Sequence, residues 1–196
     1  MLADARMILK IATIGHPVLR QIARRVEKSE LASETTQRFI DDLVETMFDA
    51  SGAGLAANQV HMPVRICAIC VKNNPRYPYK PNYPLTILVN PELTPTSDET
   101  FLNYEGCLSV PNLRGEVRRR VAVRVRAWDR AGNELDFEVK GLTAGTFQHE
   151  VDHLDGKIFV DGVEDTRSLA TWADFDRYHK EKFVERARAL VARFGS

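Results

Sequence analysis

The chain has 196 residues, 44% of them hydrophobic, and its 27 basic and 27 acidic side chains cancel to a formal charge of zero. That length and composition predict one domain, residues 1–196, around a substantial core. The neutral balance excludes the broad basic footprint of a DNA-binding protein, and no run approaches the roughly 18 consecutive apolar residues that span a membrane.

Near the start, the apolar stretch from Met7 to Ile14 is short and interrupted by Lys10, which argues against a secretory leader. Three cysteines, an odd number, fit a reducing cytoplasm better than a disulfide framework. The expected order is a mostly helical N-terminal third, a strand-rich middle and a helical end. Ser33 to Ala50 reads as a helix with Phe39, Leu43, Val44 and Met47 on one face. The small-residue stretch Ser51 to Gln59 then reads as a turn in which Gly52 and Gly54 let the backbone approach a ligand.

Val64 to Val71 reads as a buried strand. Its Cys67 and Cys70 suggest a redox or zinc pair, but residues three apart in a strand point to opposite faces. They are therefore expected to be structural. Asn73 to Pro84 holds four prolines and the tyrosines Tyr77, Tyr79 and Tyr83. A surface excursion is the default for such a loop, with the lining of a peptide cleft as the alternative. Val121, Val123 and Val125 alternate with Arg124 and Arg126, a half-buried strand, and Ala131-Gly132-Asn133 turns it into a hairpin with Leu135 to Val139.

The most informative stretch follows, His149-Glu150-Val151-Asp152-His153. On a helix, positions i and i+4 share one face, so two imidazoles can bind one metal and Glu150 can take a proton from a water on it. Phe147, Val151 and Leu154 supply an apolar stripe, and Gly156 a C-terminal stop. The third ligand is less determined. A third His six residues after the second is excluded, because that position is Phe159. Glu164, Glu181 and Glu185 are possible ligands downstream. Cys107 in Glu105-Gly106-Cys107-Leu108-Ser109 is the stronger candidate, since a thiolate suits a soft or borderline divalent ion.

Residues 171–194 close the chain as an amphipathic helix. From Asp176 to Ser196 there are six basic residues against three acidic ones, and Phe183, Ala187, Leu190 and Val191 form an apolar stripe.

Taken in order, the segments Gly52–Gln59, Glu105–Ser109 and Gln148–His153, with Leu154 and Gly156, closely resemble the signature of the peptide deformylases. Pro17, Leu19-Arg20 and Ala23 are similar to that family's opening, so the resemblance spans about residues 7 to 165. It implies an α+β fold with antiparallel sheets around the helix that carries the histidines. It implies Cys107, His149 and His153 as ligands of one divalent ion, ferrous iron first, with Ni2+, Co2+ or Zn2+ also able to occupy the site. The implied reaction removes formate from the N-formyl-methionine of new polypeptides: metal-bound hydroxide attacks the formyl carbon, Glu150 carries the proton, and the Gln59 amide and the Leu108 backbone N–H stabilise the oxyanion.

By the same resemblance, the methionine pocket involves Gly54, Leu55, Leu142, Gly145 and Thr146. Glu105 and Gly106 flank the substrate, Arg114 contacts its backbone, and Glu105 pairs with an arginine, Arg119 among the run Arg118 to Arg120. The basic C-terminal helix implies docking on the ribosome. Two departures stand out. Ala53 replaces a branched residue, and Gly145 a larger apolar one, so the pocket is either wider than in relatives or filled from elsewhere. A wider pocket would admit other acylated substrates, and a catalytically silent peptide-binding relative is a further reading.

Overall fold

The computed structural model describes residues 6–196. A short helix α1 (Lys28–Leu31) leads into α2 (Glu34–Asp49). Ser33 starts α2 by accepting the Thr36 N–H on its hydroxyl at 3.3 Å, the usual way a helix start is satisfied. Ile40, Leu43, Val44 and Met47 form its buried face. The strands are β1 (Gly54–Ala56), β2 (Ile66–Val71), β3 (Tyr83–Pro95), β4 (Thr100–Cys107), β5 (Val110–Arg120), β6 (Ala122–Trp128) and β7 (Glu134–Lys140). Helix α3 (Gly141–Leu154) follows β7, and a one-turn α4 (Trp172–Asp174) and a π-helical turn, Phe175–His179, lead into α5 (Lys180–Phe194).

A five-stranded sheet has the order β1-β2-β3-β6-β7, and β4 with β5 forms a separate two-stranded sheet. Every strand pairing is antiparallel. The α+β architecture expected from the resemblance is present, with α3 at its centre. Ala144, Phe147 and Leu154 of α3 pack with Leu88, Val123 and Val125 of the sheet. The opposite face of that sheet packs on α2, through Leu55, Ala68 and Cys70 against Leu43 and Met47. Cys67 and Cys70 accordingly fall in different cores, as the strand period requires, and both are free thiols.

Two expectations need correction. The N-terminal third is not mostly helical: residues 7–27 hold only a 3-10 turn, Pro17–Arg20. The rest is an extended strap whose backbone groups are used by other elements. Ala12 N–H donates to the Gln59 carbonyl, Ile14 N–H to that of Ser109 and Ala23 N–H to that of Leu154, so helix formation would leave three partners unsatisfied. Nor is the loop between β2 and β3 wholly a surface excursion: Pro75, Pro78 and Asn82 are exposed, but part of it turns inward. Tyr77 is buried, and Asn74 binds the Ser51 and Gly52 carbonyls from beneath at 3.0 and 3.1 Å.

Candidate metal and catalytic site

Three short pieces of chain converge beside α3. The first is the 3-10 turn Ala57–Val60 directly after β1. Gln59, buried on this turn, accepts the Ala56 N–H on Oε1 at 2.8 Å and donates from Nε2 to Ser109 Oγ at 3.0 Å. That fixes its amide with the N–H side 3.5 Å from Cys107 Sγ. Asn58 donates to the His153 carbonyl and ties the turn to α3.

The second piece is the end of β4. Cys107 pairs with Val110 across a two-residue turn, Leu108-Ser109, with a register shift at Gly106. The shift re-aims the strand end, and the thiol faces α3 with Ser109 N–H donating to Sγ at 3.3 Å. Third is α3 itself. Its i, i+4 histidines stand edge to face, ring centroids 4.9 Å apart. The ligand atoms of Cys107, His149 and His153 all lie within 4.8 Å of one another.

Orientation comes from outside the triad. His149 donates from Nδ1 to Glu105 Oε2 at 2.8 Å, which leaves Nε2 toward the sulfur. Glu105 is buried and held by Arg119 on both oxygens, and Arg119 also binds Asp152. Of the three consecutive arginines, Arg119 is therefore the partner of Glu105; Arg118 pairs with Glu164 and Arg120 with Asp98. Burial alone would raise the Glu105 carboxyl, but Arg119 and His149 outweigh it and hold the group far below the usual carboxylate range. Burial likewise opposes the Cys107 thiolate, yet the two imidazoles bring the thiol well below its ordinary value.

This donor set fits a divalent ion. Its soft sulfur and two nitrogens suit iron, zinc, nickel or cobalt, and a histidine whose other nitrogen donates to a carboxylate is the usual oriented ligand. Glu150 lies in the same cavity, with one buried oxygen, Oε2, that has no partner among the described residues. Burial raises its pKa. Gly54 makes room for it: a Cβ there would meet Glu150 Oε1 at 2.3 Å.

A profile of the polypeptide deformylase family matches residues 8–168. The chain belongs to that family. Deformylases are enzymes, and this chain is a hydrolase of that kind. It is 40% identical over 168 residues to peptide deformylase 2 of Nostoc sp. PCC 7120, covering 86% of this chain and 93% of that one. The peptide deformylase of Bartonella tribocorum is 37% identical over 177 residues, covering 90% and 96%. Among solved structures, the Met-Ala-Ser-bound class I type b deformylase of Acinetobacter baumannii superposes with a TM-score of 0.78 at 37% identity, over 81% of this chain and all of that one. The actinonin complex of the Synechococcus elongatus deformylase gives 0.73 at 28% identity, over 100% of this chain and 92% of that one.

Not every residue assigned by resemblance reaches the deformylase cavity. Gly54, Gln59, Glu105, Gly106, Cys107, Leu108, Gly145, Thr146, His149 and Glu150 line it. Leu55, the neighbour of Gly54 on a strand, faces the other way and is buried against α2. Leu142, buried in one cluster with Tyr104, Phe175 and Phe183, lines instead a small neighbouring cavity that Lys80 and Thr146 also line. Arg114 is also out of reach. Its guanidinium lies 3.9 Å from the Phe175 ring centre and 4.6 Å from that of Trp172, and it donates to Tyr79 Oη at 3.0 Å. The downstream carboxylates Glu164, Glu181 and Glu185 are not part of the triad.

Tyr77 and Tyr79 of the proline-rich loop line the cavity, the alternative their sequence offered, and Lys80 of the same loop with Asn103 and Tyr104 of β4 are lining residues that the sequence did not single out. The tyrosines and prolines of the loop were the available signal. The pocket is filled rather than widened at Gly145, where an added Cβ would lie 3.2 Å from Phe101 Cζ and 3.3 Å from Asn103 Nδ2.

Proposed function

We propose that this chain removes the formyl group from the N-terminal formyl-methionine of newly made polypeptides and releases formate, with ferrous iron held by Cys107, His149 and His153. The observation that carries this reading is the convergence of a thiol and two imidazoles within 4.8 Å, in one cavity with a buried carboxyl and a fixed amide. When bound, the ion would supply a Lewis acid that polarises a carbonyl and lowers the pKa of water to about 7.

The chain's own residues do the rest. Glu150, raised in pKa by its burial, takes the proton of the attacking water and returns it to the leaving amine. Gln59 donates from Nε2, and Leu108 from its backbone N–H, to the oxygen that gains charge as the formyl carbon becomes tetrahedral. Loss of one such donor typically costs about a hundred- to a thousandfold in rate. The Glu105–Arg119 pair keeps His149 in register. The deciding experiment measures formate release from an N-formyl-Met peptide by protein purified without oxygen and loaded with ferrous iron, beside Glu150→Gln. No formate from a metal-filled protein would remove this reading.

A cytoplasmic setting at the ribosome is consistent with the surface of the C-terminal helix. Arg186 and Arg193 pair with Glu116 and Glu99, and Lys180 with Asp176. Exposed Arg177, Lys182 and Arg188 remain to meet phosphates. Co-sedimentation with ribosomes that survives deletion of residues 176–196 would exclude this contact. No helix among the described residues is long and apolar enough to cross a membrane.

A further inference from the structure

The wall of the cavity beside the triad carries a lysine. Lys80 reaches in from the proline-rich loop and donates from Nζ to Thr146 Oγ1 at 2.8 Å, one turn of α3 before His149. The Thr146 hydroxyl passes its own proton to the Leu142 carbonyl, so it is available only as an acceptor. Asn103 lies on the same wall, its amide committed to Glu105. The Tyr77 ring centre is 4.9 Å from Nζ. Among the described residues no carboxylate forms an ion pair with Lys80. Glu105 is already held by Arg119 and His149. An ammonium has three N–H donors, and here one hydrogen bond uses one of them. Burial accordingly lowers the Lys80 pKa to about 8.

The same cavity is lined by Gln59, Cys107, His149 and Glu150, so this wall bounds the space beside the triad. The loop is held by Asn74 to residues 51 and 52 and by Tyr79 to Arg114, which fixes where the Lys80 ammonium stands. A side chain entering beside the formyl group therefore meets that ammonium. A thioether sulfur is a weak acceptor and leaves the unused donors without a partner. An oxygen acceptor gives one of them a charge-assisted bond.

Resting on the deformylase reading above, we infer that Lys80 is a specificity-determining residue that receives a hydrogen-bond-accepting side chain, a sulfoxide, carboxamide or carboxylate, on the formylated first residue. Methionine sulfoxide keeps the length of methionine and adds the oxygen. A site with a buried donor discriminates against ligands that cannot satisfy it.

The test uses the iron-loaded full chain and five formyl peptides that differ only in the first residue: methionine, norleucine, methionine sulfoxide, glutamine and glutamate. Formate release gives kcat/KM for each. The sulfoxide peptide is expected to exceed the norleucine peptide by about tenfold, the worth of one charge-assisted hydrogen bond. Lys80→Met should invert that ratio, and Lys80→Arg, which keeps the donors, should retain the preference. The glutamine and glutamate arms report which other acceptors are taken. A wild-type ratio of one or below overturns the inference and leaves the deformylase reading intact, whether or not the Met variant folds. An equal ratio in wild type and Lys80→Met overturns it in the same way. If no formyl peptide releases formate from any of the proteins, the deformylase reading fails and the inference with it.

Discussion

Arg119 grips both oxygens of Glu105, Nε to Oε1 at 2.7 Å and Nη2 to Oε2 at 2.9 Å, and it is through this carboxylate that His149 is aimed. The pair is buried, with side-chain exposures of 7% and 3%. Removing one partner strands the other charge, which typically costs about 3–5 kcal/mol. Arg119→Leu is therefore expected to lose about that much stability in urea unfolding and to weaken metal binding about 10- to 100-fold. A variant with native stability and native metal affinity would show that His149 is oriented by packing alone.

Glu150→Gln keeps the shape of the cavity but cannot carry a proton. The three ligands are untouched, so metal content should equal that of the wild type. Formate release should fall about 10²- to 10⁴-fold, the usual share of a general acid–base group. Turnover above a tenth of the wild-type value would assign the proton to another group.

Gly54→Ala tests how closely the first loop approaches the carboxyl. The added methyl would lie 2.3 Å from Glu150 Oε1 and 2.5 Å from Cδ, far inside van der Waals contact. Glu150 must turn away, and a displacement of about 1 Å commonly costs about 10²-fold in rate. The expected signature is a loss in kcat of that order with bound metal unchanged. Full activity would mean that Glu150 works from another rotamer.

Lys80 gives a pH dependence of known sign. Burial lowers its pKa from the ordinary 10.5 to about 8, so between those values the unfolded chain holds a proton that the folded chain has released. Stability attributable to this group therefore rises with pH across that window and is lowest below it. Lys80→Met removes the penalty and should raise Tm at pH 7 by about 2–4 °C. The gap between variant and wild type should close as the pH goes from 8 to 10.5. A gap independent of pH would assign the gain to packing.

The candidate metal-binding cluster was legible because it obeys local rules. The i, i+4 spacing of His149 and His153 is a property of any helix, and Cys107 sits where a strand ends at a turn. Period two also separated Cys67 from Cys70. The same rule turns Leu55 away from the cavity that Gly54 lines. Leu142 and Arg114 stand outside the cavity lining for a different reason: their surroundings come from Phe175 and Phe183, about 30 or more positions further on. Lys80 was invisible. A loop of prolines and tyrosines has no period, and nothing local says which of its side chains turns inward. The N-terminal strap was misread because its hydrogen bonds go to Gln59, Ser109 and Leu154, partners that only the folded chain supplies.

Helix α3 touches β1, β2, β3, β5, β6, β7 and α5. An element packed on so many neighbours cannot open without undoing them, so its backbone amides should exchange with deuterium only through global unfolding. Exchange protection in α3 then sets an upper bound that the rest of the chain cannot exceed. The two imidazoles would be as long-lived a pair as this molecule can hold, and an ion lost from them in the native state must leave by way of the cavity rather than through fraying of the helix that carries them.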